Sequence, residues 1–185
     1  MILNGGQMGT LFGVLVIPNN GRRIRHMRGL LLEELERGYF TNMKEIFGAM
    51  SGYQKDYNWL ITDYECNCYP SKEISENGKY AFLDGKQLTK IIENNEIQFI
   101  WGVFTGFKKE YKLEEILTEP LPYADGNAQL WSKNIKIQNS LADIEIISWD
   151  SSLLMVLAKE GRVIENFAEK FPKCRDLAEY NSNNH

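Results

Sequence analysis

Read for apolar spacing, the chain becomes legible from Met27 onward. Arg28 to Leu35 is a short apolar run whose period does not separate strand from helix. Asn42, followed three residues later by Glu45, has the form of a capping box. Met43, Ile46, Phe47 and Met50 then mark one face of a helix that Gly52 closes. Asn58 to Cys66 is rich in aromatic and β-branched residues and predicts a strand ended by Pro70. Asp84 opens a second helix with Leu88, Ile91 and Ile92 inward. Ile97 to Phe107 is apolar at both parities, as a strand covered on both faces must be.

Leu113 to Leu117 suits one helical turn, and Pro120 to Trp131 reads as a loop turning at Asp125-Gly126-Asn127. Ile135 to Ile137 could begin a strand. Ala142 to Ser148 and Leu153 to Ala158 are strands separated only by Trp149 to Ser152, which predicts an antiparallel hairpin. A last helix turns Val163, Ile164, Phe167, Ala168 and Phe171 inward, and Pro172 stops it. A hairpin this tight leaves no room for a crossover helix. The expected fold class is therefore α+β: one domain over residues 27–180, with a mixed or largely antiparallel sheet packed with helices. The polar residues 181–185 are expected to fray.

Residues 1–26 differ in composition: they hold Arg22, Arg23 and Arg25 and no acid. The apolar run Leu11 to Ile17 is too short to span a bilayer and lacks a basic stretch before it. This leader reads as a strand and turn, as an arm without fixed structure, or as sequence ahead of a true start at Met27.

The net charge of −4 conceals an acidic body, because residues 27–185 carry 18 basic against 25 acidic side chains, a net of −7. Such a surface repels phosphate backbones, which argues against nucleic acid as partner and favours a basic protein. No membrane partner is expected, and oligomeric state stays open. Three cysteines, Cys66, Cys68 and Cys174, are too few for a disulfide framework and suit a reducing cytoplasm.

Catalytic chemistry finds little support in the residue types. The two histidines, His26 and His185, stand in the leader and at the last position, which disfavours triads and histidine-bound zinc. Cys66-Asn67-Cys68 could share a face but lacks a fourth thiolate or imidazole, and the glycines match no phosphate loop. No metal or cofactor is expected. Asp143 and Glu145 share one strand face, Asp150 neighbours Trp149, and Asp63 and Glu65 could supply a second carboxylate. A carboxylate-dependent hydrolase is therefore an alternative. The aromatic connection from Leu121 to Trp131 is the strongest candidate for contact, with Tyr123, Asp125, Trp131 and Asp150 as candidate binding residues. A small-ligand-binding module would instead need a pocket near those rings.

The run ADIEIISWDSSLLMVLAKEGRVIENF (Ala142 to Phe167), with NWLITDYEC (Asn58 to Cys66) upstream, resembles small bacterial proteins similar to the immunity proteins that accompany polymorphic toxins. The likeness lies in strand order and general character from Asn58 to the end of the chain, and it carries over no site residue. It implies an acidic cytosolic protein that binds and blocks a toxin domain without catalysis.

Overall fold

Two-sided apolarity in the middle of the chain has the expected consequence. In the computed structural model, which describes residues 29–33 and 41–184, Phe99–Lys108 runs through the interior of a seven-stranded sheet. The strands are β1 (Gly29–Leu32), β2 (Tyr57–Cys66), β3 (Tyr80–Asp84), β4 (Phe99–Lys108), β5 (Ile144–Trp149), β6 (Leu153–Ala158) and β7 (Arg175–Asp176). Their order is β3-β2-β4-β5-β6-β1-β7, and every pairing is antiparallel. The chain is thus a single α+β domain with helices packed on an antiparallel sheet. The leader 1–26, His26 and His185 lie outside the described residues.

One face of the sheet receives the three amphipathic helices, α1 (Met43–Ala49), α2 (Gly85–Asn94) and α4 (Gly161–Lys170). Their inward residues meet Trp59, Ile61, Phe104, Ile146 and Val156 in the larger core. Trp59 is fully buried beside Phe47, with ring centroids 5.4 Å apart, and its indole N–H donates to the Gln54 carbonyl at 2.8 Å. That bond removes the penalty of burying an indole donor. Two of these three helix starts carry a side-chain cap, α4 has none, and Glu45 does not reach back to complete the expected box. The Asn42 side chain accepts from the Lys44 N–H at 3.1 Å and Asp84 from the Lys86 N–H at 2.8 Å.

The opposite face has no such helix layer. Leu31, Val103, Ile147, Met155 and Leu157 are buried instead under the long connection between β4 and β5 and under the terminal helix α5 (Leu177–Asn184). The connection holds one helical turn, α3 (Leu113–Ile116), and a 3-10 turn at Ala128–Trp131. The functional candidates lie on this side.

Several expectations need correction. Ile135 to Ile137 forms no strand: Ile135 and Ile137 pack half-buried beneath the connection without entering a ladder. Strand β3 was not anticipated because Tyr80 to Asp84 alternates half-buried and buried residues too briefly, and its last residue doubles as the cap of α2. The tail does not fray at Asn181. That residue is buried in α5, and its side-chain amide donates to the carbonyls of Leu130 at 3.0 Å and Ser132 at 2.9 Å. A polar composition that suits a solvated end here fastens the end to the connection. No described helix is long and apolar enough to cross a membrane.

Candidate functional site

A connection of this length, almost without repetitive structure, stays in place only if its backbone groups find partners. The sheet supplies them. At a bulge in β2, Thr62 donates its hydroxyl to the Pro122 carbonyl at 2.6 Å. Next to it, one carboxylate oxygen of Asp63 accepts the N–H groups of Ala124 at 2.7 Å and Asp125 at 3.0 Å. The bulge places Asp63 in the left-handed region, φ 47°, a conformation Asp tolerates better than most side chains.

A second anchor rises from β5. Glu145 is wholly buried and accepts from the Gln138 N–H at 3.1 Å and the Gln138 side-chain amide at 3.2 Å. The Gln138 side-chain oxygen in turn accepts from the Tyr123 N–H and the Asn127 amide, both at 3.0 Å. Burial pushes the Glu145 carboxyl up to about 7, and the two hydrogen bonds from Gln138 offset only part of that. No neighbouring charge contributes to the shift.

What the connection displays is aromatic. Tyr123 is 48% exposed, the largest exposure of any big apolar side chain among the described residues, and Asp125 beside it is exposed. Trp131 meets Trp149 edge to face at 5.1 Å, and Trp149 meets Trp101 of β4 at 5.0 Å. Tyr180 of α5 lies 6.3 Å from Trp131, with the Arg175 guanidinium 4.6 Å above its ring. All three tryptophans are half-buried. Asp150 follows Trp149 in the hairpin turn and is exposed.

The four sequence candidates gather in two pairs. Trp131 and Asp150 meet through Trp149, while Asp125 hangs from Asp63 and Tyr123 from Gln138. Register brings the pairs to one end of the sheet, because Thr62 pairs with Val103, Gly102 with Ser148 and Trp149 with Leu153. Asp63 and Trp149 are therefore two strands apart, roughly 10 Å. Three of the five described non-glycine residues with positive φ, Asp63, Asp150 and Ser151, lie at this end. Asp150 and Ser151 are the central pair of the β5–β6 turn, closed by the Ser152 N–H on the Trp149 carbonyl at 3.0 Å, where a tight hairpin demands positive φ.

Sequence reading missed Trp101, Gln138 and Tyr180. Trp101 looked like core in an apolar strand, and Gln138 was one polar residue among many in a loop. Tyr180 lay beyond the last recognised helix. Only the two-residue alternation of β4, which places Trp101 on the face of Val103, could have singled out one of them.

The remaining candidate chemistry is dispersed. Asp63 and Glu145 stand two strands apart and about three residues out of register, roughly 14 Å between Cα positions. Asp143 meets Lys159 at 3.5 Å and Lys108 at 3.8 Å. Burial pushes the Cys66 thiol up to about 11, while the Cys68 sulfur contacts the Glu96 carbonyl at 3.9 Å. All three cysteines are free thiols. No cluster of three or more His, Cys, Asp or Glu able to hold a metal occurs among the described residues.

Replacing Asp63 tests the first anchor. Asp63→Ala should cost about 2 kcal/mol, from two lost charge-assisted bonds and a left-handed alanine. Asp63→Asn, which keeps an acceptor and tolerates the backbone, should cost less than half as much. Urea denaturation gives the energies, and limited proteolysis between Leu121 and Trp131 shows whether the connection has loosened. Equal loss in both variants would contradict the anchoring role.

The structure thus defines a class, an α+β domain whose antiparallel sheet carries a sheet-anchored aromatic connection. Compared with known proteins, the chain matches no family model, no curated protein and no solved structure.

Proposed function

We propose that this is a non-catalytic binding protein acting in the cytoplasm, an immunity-type inhibitor that covers a basic toxin domain. Its contact surface is the sheet end carrying Tyr123, Asp125, Trp131, Trp149 and Asp150. One observation carries the reading: Tyr123, 48% exposed, and the half-buried Trp131 stand on a connection whose backbone is already tied to the sheet by Asp63, Thr62 and Glu145. Ordering a free loop at an interface costs entropy, and here that ordering precedes binding. Tyr and Trp then contribute large contact area at small further entropic cost. Asp125 and Asp150, exposed beside these rings in an acidic chain, favour a basic partner and speed its capture. Three free thiols suit a reducing compartment.

The test is to read the genes on either side of this one, coexpress the chain with any basic toxin-domain protein they encode, and follow with gel filtration and titration of the purified pair. The expected result is a stoichiometric complex whose association rate falls with added salt. Tyr123→Ala and Trp131→Ala should each raise Kd by roughly tenfold or more. No complex with that protein, or a complex indifferent to both substitutions, would sink the proposal.

A further inference from the structure

Compact surface loops ordinarily fill their interior with their own side chains. The connection here does not. Between its two limbs, from Pro120 to Tyr123 and from Asn127 to Gln138, it leaves a half-open cleft of about 570 Å3. That volume lies within the range of small-molecule sites. A second cavity of about 340 Å3 lies on the other side of Ile135–Ile137 and shares Lys136 with the first.

The charge on these walls is one-sided. The chain has more acids than bases, yet no Asp or Glu lines either cavity. Lys136 is the only charged residue lining the larger one, and Lys159 joins it in the smaller. Lys159 is engaged with Asp143 and the Ser140 carbonyl. Lys136 forms no ion pair with a described residue, and its ammonium can turn inward on a flexible stem. Asn127 and Gln138 are committed to the connection's own hydrogen bonds, whereas the amide groups of Gln129 and Asn134 remain available to a ligand. Apart from Ser132, the rest of the wall is apolar, chiefly Leu121, Pro122, Ile135 and Ile137 with Tyr123.

We propose that this cavity binds a small organic anion with a flat apolar body, its charge on Lys136 and its body against the proline, isoleucine and tyrosine wall. A bare inorganic anion would leave the apolar wall unused and would keep its water. A neutral apolar molecule would leave the exposed Lys136 ammonium in water and gain nothing from it, and a cation would meet no counter-charge. The site lies away from the tryptophan face of the partner-binding reading and shares only Tyr123 with that surface, so its test leaves Tyr123 unchanged.

Two dyes of nearly the same shape separate these possibilities. 1-Anilinonaphthalene-8-sulfonate carries a charge, and N-phenyl-1-naphthylamine is its neutral counterpart. In fluorescence titrations of the folded full chain, the sulfonate should bind at one site at least about tenfold more tightly than the neutral dye. Lys136→Met and Asn134→Asp should each weaken the sulfonate about tenfold, leaving the neutral dye and the melting temperature unchanged. Lys86→Met, on the far side of the sheet, should change neither. 2-Naphthoate should displace the dye where inorganic phosphate does not. Equal affinity for the two dyes, no binding of either, or indifference to both wall substitutions would overturn the proposal. Displacement by phosphate as effective as by naphthoate would overturn its apolar half. Because no partner protein is present, failure here leaves the inhibitor reading untouched, and failure of that reading leaves this one.

Discussion

Stability should fall by up to about 3 kcal/mol between pH 5 and pH 8 through Glu145, and Glu145→Gln should remove that component of the pH dependence. The ordinary carboxyl value of 4.5 is raised to about 7 in the folded protein by complete burial. Between those values the folded chain holds a proton that the unfolded chain has released. The contribution to stability is therefore fully present below 4.5 and is lost as pH rises through 7. The shift corresponds to about 1.4 kcal/mol per pH unit, which sets the upper figure. Asp84 and Glu119 act in the opposite sense. Lys109 and Ser140 hold their carboxyls below the usual range, so their support disappears only in acid. Urea melts of the parent and Glu145→Gln at pH 5 and pH 8 separate the effects. Parallel pH profiles for the two proteins would show that Glu145 is ionised without cost.

Glu145 matters to the surface because of what it holds. Its hydrogen bonds to Gln138 lead directly to Tyr123 and Asn127. Across the strands its register partners are Thr105 and Leu157, and the Thr105 hydroxyl has no hydrogen-bond partner.

Gly85→Ala should destabilise the fold by about 3 kcal/mol, at the upper end of overpacking effects. A Cβ there would lie 2.0 Å from the Gln54 carbonyl oxygen and 2.7 Å from that of Tyr57. Both are backbone atoms, so no side-chain rotation relieves the clash. The gain in helix propensity at the first position of α2 is smaller, at most about 1 kcal/mol. The same residues carry Trp59, whose indole donates to the Gln54 carbonyl, so displacing that turn also disturbs the largest buried side chain. For a chain of this size the change corresponds to a melting temperature lowered by roughly 6–12 °C. A variant within about 0.5 kcal/mol of the parent would mean that α2 shifts freely on the sheet.

Much of the framework was legible beforehand because it depends on local periodicity. Met43, Ile46, Phe47 and Met50 recur at helical spacing and all are buried. The residues of β4 that are apolar at both parities occupy the sheet interior, between β2 and β5. The β5–β6 hairpin could be read from its short joint alone. The aromatic connection was recognisable as a candidate, and Trp131 and Asp150 do share a neighbour in Trp149. Asp63 and Glu145 also stood out as acids, and in the structure both hold amides of the connection.

The amino-acid order by itself determined which segments bury one face or two, and hence the α+β class, because such patterns repeat every two or 3.6 residues. Tertiary structure decided what the polar residues are for. Thr62 and Asp63 reach Pro122, Ala124 and Asp125 across about sixty residues of chain, and Asn181 reaches back to Leu130 and Ser132. Contacts of that range leave no periodic trace, since a side chain that satisfies a distant amide reads locally like one that meets water.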